Sequence, residues 1–156
     1  MIRGLISALV LIFCLATCVA CSPPSLSPPP GGRYDASGDP RAQQLYLLAC
    51  KENPRLKWND CLAEKASIRA RRMIAEGCFS HLDPATGESP LRDMVRGCFQ
   101  FSAAAENLVR GSHSPEALHR TMMKSRGHRK NMQNPRYELI GVGCCEDTCI
   151  EIFAGF

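Results

Sequence analysis

Beyond residue 40 the apolar and polar positions recur with readable periods. In residues 41–50, Ala42, Leu45, Tyr46 and Ala49 are spaced to fall on one face of a helix. A longer helix is expected up to Glu76, capped by Asn59 or Asp60. Leu62, Ala63, Ala66, Ala70, Met73 and Ile74 form its apolar stripe, and Gly77 closes it. Ser114-Pro115-Glu116 opens a third helix with a cap residue, a proline suited to the first turn and an acid. Leu118, Thr121 and Met122 face inward, and Gly127 is expected to end it. Residues 138–143 and 149–153 read as short strands around Glu146-Asp147-Thr148, the pattern of a hairpin. Helices that precede strands, instead of alternating with them, predict an α+β layering.

Composition narrows the class. With 45% hydrophobic and 22% charged residues, the chain has enough apolar surface to fold, and 156 residues suit one domain. Nineteen basic residues against fifteen acidic ones, with no dense Lys/Arg block, exclude a nucleic-acid footprint. Arg3 precedes a charge-free run over residues 5–20 that ends in small residues, as a secretory signal does. That run is short for a membrane span, which needs about 20 residues. The expected organisation is a signal peptide over 1–20, a Pro/Gly-rich spacer over 21–39 and a folded domain over 40–156. Cys21 after Cys18-Val19-Ala20 is a candidate for lipidation, which would be the domain's one link to a membrane; ordinary signal cleavage suits the same residues. The expected destination is therefore outside the cytoplasm: secreted, periplasmic or held on the outer envelope.

Ten cysteines, far above the usage of a cytosolic enzyme, agree with an oxidising compartment. Seven of them lie in the folded part, an odd number, so one at least stays outside any internal pairing. Cys78 and Cys98 stand in matching Gly-Cys-Phe contexts and are expected to pair. Cys50 and Cys61 could tie two successive helices. Cys149 could reach Cys144 or Cys145 across the hairpin, but strand alternation aims only one of those two at it, and Cys145 is the partner set down here. The spacing lacks the C-x-x-C pairs of zinc sites, which favours structural disulfides.

The chemistry-bearing residues are few. His81 and His128 are expected on loops leaving the second and third helices, where polar side chains meet a cleft. Glu106 is an acid in the apolar run AAAENLV, so it must be paired or shifted in pKa. His113 and His119 are expected at the surface. The strings FSHLDP (79–84), AENLVRG (105–111), SRGHRKNM (125–132) and IGVG (140–143), with LKWND (56–60) ahead of the long helix and IFAGF at the end, occur in order. Together they resemble the signatures of the CAP superfamily, which comprises cysteine-rich secretory proteins, antigen 5 and pathogenesis-related class 1 proteins, and above all its bacterial secreted branch.

The resemblance implies a three-layer α-β-α sandwich around an antiparallel sheet, stabilised by disulfides, with an open cleft where His81, Glu106 and His128 converge. Two departures accompany it. The position of a second glutamate found in animal members is Ser125, and a tryptophan common on the preceding helix is Met122. Two imidazoles and a carboxylate could bind a ligand, with His81 and His128 holding zinc or another divalent cation, or they could serve as an acid/base pair. The expected role is an extracellular binding module for a lipid, sterol or envelope ligand or for an extracellular protein. The alternative is a metal-assisted or acid/base hydrolase acting on peptide or envelope material. No G-x-S-x-G or H-E-x-x-H motif is present.

Overall fold

The computed structural model describes residues 39–156. The signal, the spacer up to residue 38 and Cys21 lie outside the described residues. Five helices, α1 (Pro40–Glu52), α2 (Asp60–Ala75), α3 (Leu91–Arg96), α4 (Pro115–Lys124) and α5 (Arg126–Met132), enclose a sheet of β1 (Lys57–Trp58), β2 (Ala103–Arg110), β3 (Leu139–Cys145) and β4 (Thr148–Gly155). The strand order is β1-β3-β4-β2. The two β4 pairings are antiparallel, whereas the two-residue β1 runs parallel to β3, so the sheet is mixed at that edge. Strand β2 forms the other edge.

The two faces of the sheet bury separate clusters. On one, Ala42, Leu45 and Ala49 of α1, Leu118 and Met122 of α4 and Met132 of α5 pack on Ala105, Val109, Ile140, Val142, Cys149 and Phe153. On the other, Leu62, Ala66, Ala70 and Met73 of α2 and Val95 of α3 pack on Leu108, Ile150, Ile152 and Ala154. This is the α-β-α sandwich. Local chemistry starts each long element where the pattern places it. The Asp39 side chain accepts from Arg41 N, that of Asn59 from Leu62 N and that of Ser114 from Ala117 N. Gly77, at φ +60°, stands just beyond the end of α2 in the left-handed region.

The IGVG string is explained by the approach of α2 to β3. A Cβ on Gly141 would lie 2.2 Å from Ala63 N, and one on Gly143 would lie 2.1 Å from Ser67 N. Two glycines at alternate positions therefore give β3 a bare face on which the helix backbone rests.

Three expectations change. The third helix does not run to Gly127; the extended Ser125 ends α4 and caps α5, so Gly127 lies inside the first turn of a new helix. Among the described residues the disulfides are Cys61–Cys98 and Cys144–Cys149, not Cys78–Cys98, Cys50–Cys61 or Cys145–Cys149. Residues 144 and 149 are direct cross-strand partners in the β3–β4 register, while Cys145, one residue on, turns to the α2 face. Cys98 sits just past α3, where that short helix meets α2, which brings it to Cys61 in the first turn of α2; Cys50 and Cys78 stay outside both bridges. Finally, His119 is not a surface residue. Its side chain is 11% exposed and lies 3.6 Å from Glu52 of α1, and burial lowers its pKa. His113 is exposed.

Candidate functional site

The site is built on the edge strand β2, whose consecutive residues face opposite layers. Glu106 shares the parity of Leu108 and points toward α2; Asn107 shares that of Ala105 and Val109 and points toward α4 and α5. Each is almost fully buried. The carboxylate of Glu106 is held from two sides. Its Oε1 lies 3.5 Å from the guanidinium of Arg69, a side chain of α2 that is itself 3% exposed. Its Oε2 lies 2.9 Å from Nδ1 of His81. Arg69 also donates to the Ser80 carbonyl at 2.7 Å, which fixes the loop that carries His81. Burying one charge alone is costly, so the buried ion pair is what allows an acid in this apolar run.

The side chain of His81 remains 55% exposed while its Nδ1 faces Glu106. A carboxylate accepts, so the Nδ1 carries the proton in the neutral ring and Nε2 is the basic atom left for a ligand. His128 lies in the opposite layer, on α5. It stands in the first turn of α5, its N–H donating to the Ser125 hydroxyl and its carbonyl accepting from the Asn107 amide at 3.2 Å. Its ring is half-buried, and its Nδ1 has no hydrogen-bond partner among the described residues. Burial lowers the pKa of His128, and the charge of His81 lowers it further.

A resident metal fits this arrangement poorly. Glu106 is taken up by Arg69 and His81, which leaves two imidazoles, fewer than the three protein ligands of a catalytic zinc. Among the described residues no three His, Cys, Asp or Glu side chains gather to hold an ion. The chemistry available is therefore that of one imidazole oriented by a buried ion pair and of a second whose burial disfavours its protonated form.

The comparisons agree with the architecture. The family model described as the cysteine-rich secretory protein family, CAP, matches residues 49–152. The chain belongs to the CAP family. Its CAP domain is 34% identical over 95 residues to the uncharacterised protein YkwD of Bacillus subtilis strain 168, a match covering 61% of this chain and 37% of that relative. An extracellular protein containing a SCP domain from Bacillus anthracis superposes with a TM-score of 0.68 at 27% identity, over 74% of this chain and 40% of the other. An outer surface protein of Borrelia burgdorferi shares the fold at a TM-score of 0.65 and 16% identity, covering 75% of this chain and 93% of that one. The chain thus spans well under half of the two Bacillus proteins that it matches.

Around the three residues singled out from the sequence, the CAP domain places others that the pattern did not single out. Arg69 occupies an inward position of the α2 stripe, three residues after Ala66 and four before Met73, where a charge among apolar neighbours was the available signal. Asn107, Asn131 and Glu151 form a second buried polar group on the α5 side. Asn107 Nδ2 donates to Glu151 Oε2 at 2.9 Å, and Asn131 Nδ2 donates to Asn107 Oδ1 at 2.9 Å. Ser125, standing where animal members carry a second glutamate, serves as the cap of α5. Met122, in the place of the family's tryptophan, is fully buried.

Proposed function

We propose that the chain is exported and that its CAP domain is an extracellular binding module, taking its ligand at the outer edge of β2 between His81 and His128. The observation that carries this reading is the 2.9 Å contact between the nearly buried Glu106 and the half-exposed His81. It presents one ring nitrogen outward in a fixed orientation and leaves no spare carboxylate beside it. Export is supported by the charge-free run over residues 5–20 and by the extracellular and outer-surface descriptions of the two structural relatives. Among the described residues no helix is long and apolar enough to cross a membrane. Cys21 is the site proposed for a lipid anchor.

The ligand class proposed is a lipid, sterol or envelope component that meets the imidazoles, with a divalent cation as the weaker reading. The test is calorimetric titration of the wild type, His81→Ala and His128→Ala with zinc, with sterol-bearing vesicles and with soluble cell-wall fragments. Binding of one class that is lost in both variants is the expected result. Equal behaviour of all three proteins toward every class would overturn the assignment.

The same contact favours a second reading, since a carboxylate on Nδ1 also readies an imidazole as a general base. Hydrolysis of peptide or murein substrates that disappears in His81→Ala would establish it in place of simple binding.

A further inference from the structure

Glu151 is the one acid in the run Ile150 to Phe156, and it is fully buried. Its same-face neighbours along β4, Cys149 and Phe153, are apolar and equally buried. An apolar residue would pack there without a desolvation penalty. Among the described residues no cation offsets it. Over this face of the sheet, Arg41 of α1 pairs with Asp39, His119 of α4 with Glu52, and Arg129 of α5 donates to the Met123 carbonyl. One oxygen, Oε1, has no partner among the described residues. The other accepts from Asn107.

We infer that Glu151 is a positioning residue for His128, acting through the side-chain amide of Asn107. That amide uses both N–H groups and its oxygen: one N–H on Glu151, one on the His128 carbonyl, and the oxygen on Asn131. Two of the three bonds hold α5, one in its first turn and one in its last. Turned over, the amide would set its oxygen against the His128 carbonyl and its N–H₂ against the N–H₂ of Asn131, so both bonds to α5 would fail together. Glu151 is the acceptor that selects the working orientation from the strand side. The bond adds to the other anchors of this seven-residue helix: the buried Met132, the Ser125 cap and the bond from Arg129 to the Met123 carbonyl.

The hold on α5 is independent of any ligand; that His128 then meets a ligand rests on the reading proposed above. Three proteins are compared by amide hydrogen exchange without ligand: wild type, Glu151→Gln and Glu151→Leu. Glutamine keeps an oxygen for Asn107 and should leave residues 128–132 protected. Leucine removes the acceptor and leaves one Asn107 N–H buried without a partner, so it should lower the melting temperature and speed exchange in α5 about tenfold, the loss expected from one buried hydrogen bond, and by more than in α2 on the opposite face. A purely structural role would speed exchange in α2 and α5 alike. Unchanged α5 protection in the leucine variant overturns the inference. Should that variant fail to fold, the wild type still decides the matter by NMR: slowly exchanging Asn107 side-chain protons support the latch, and freely exchanging ones overturn it. Ligand titration of the same variants separates the two proposals, since a loosened α5 with unaltered binding would count against the role of His128 and not against that of Glu151.

Discussion

Glu106 and Asn107 are neighbours in the chain that hold opposite layers of the sandwich: Glu106 fixes His81 on the α2 side, and Asn107 fixes the turn carrying His128 on the α5 side. A strand gives this geometry without further design, because successive side chains leave it in opposite directions. As β2 is an edge strand, the two layers meet around its rim and not across the body of the sheet. Two adjacent residues of one strand thereby hold the segments that carry the two histidines, one on each face of the sheet.

Glu106→Gln should be strongly destabilising. It leaves the guanidinium of Arg69 buried without its counter-charge, a loss of about 3–5 kcal/mol. Denaturant unfolding would show it as a lowered midpoint. The double variant Arg69→Met with Glu106→Leu should recover most of the loss, since it removes both charges.

Stability should depend on pH through Glu151, whose pKa burial pushes up to about 7. The folded state then keeps a proton that the unfolded chain releases near its ordinary value of 4.5, so this group's contribution falls as pH rises from about 4.5 to 7. Subtracting the wild-type curve from that of Glu151→Gln isolates it. The difference should grow in the variant's favour by roughly 3 kcal/mol across that window and then level off. A flat difference would contradict the raised pKa.

His128 titrates with the opposite sign. Its pKa is lowered by burial and by His81, so the folded state resists a proton that the unfolded chain accepts near pH 6.5. Its contribution is present above that pH and is lost as pH falls through the window below it. Comparing wild type with His128→Gln should show the wild type losing relative stability on acidification below about pH 6.5.

The glycines under α2 should tolerate nothing larger. Gly141→Ala and Gly143→Ala each place a methyl group about 2 Å from helix backbone, so the helix must shift. A loss of about 3 kcal/mol or more, read as a fall in melting temperature, is the expected outcome. At Gly77, by contrast, nothing lies within 4 Å and the penalty for alanine comes only from the positive φ, about 1 kcal/mol.

Peptide mapping without reduction should recover Cys61 joined to Cys98 and Cys144 joined to Cys149. Burial raises the pKa of the Cys145 thiol, so its alkylation should be slow at neutral pH in the folded protein and fast after unfolding. Replacing Cys61 and Cys98 together by alanine should cost about 4 kcal/mol and the hairpin pair about 2 kcal/mol, because the first bridge closes the longer loop.

Periodicity and capping chemistry determined much of this molecule before any folding was considered. The faces of α1 and α2, their caps, the β3–β4 hairpin and the solitary acid in AAAENLV are all local features, set by residues a few positions apart. The ordered motifs carried the family. What the chain could not declare was every relation between distant segments. Three bridging partners were misassigned because side-chain direction depends on register and on where a short helix docks, and neither is written in the spacing of cysteines. The restart of the helix at Ser125 depended on α5 finding Asn107 beneath it. Arg69 and Glu151 stand among apolar neighbours in the sequence, and their partners on β2 are supplied only by the fold. The reason is common to all of these cases: a buried polar group is stable only with its partner, and the partner lies on another element whose position is decided by packing.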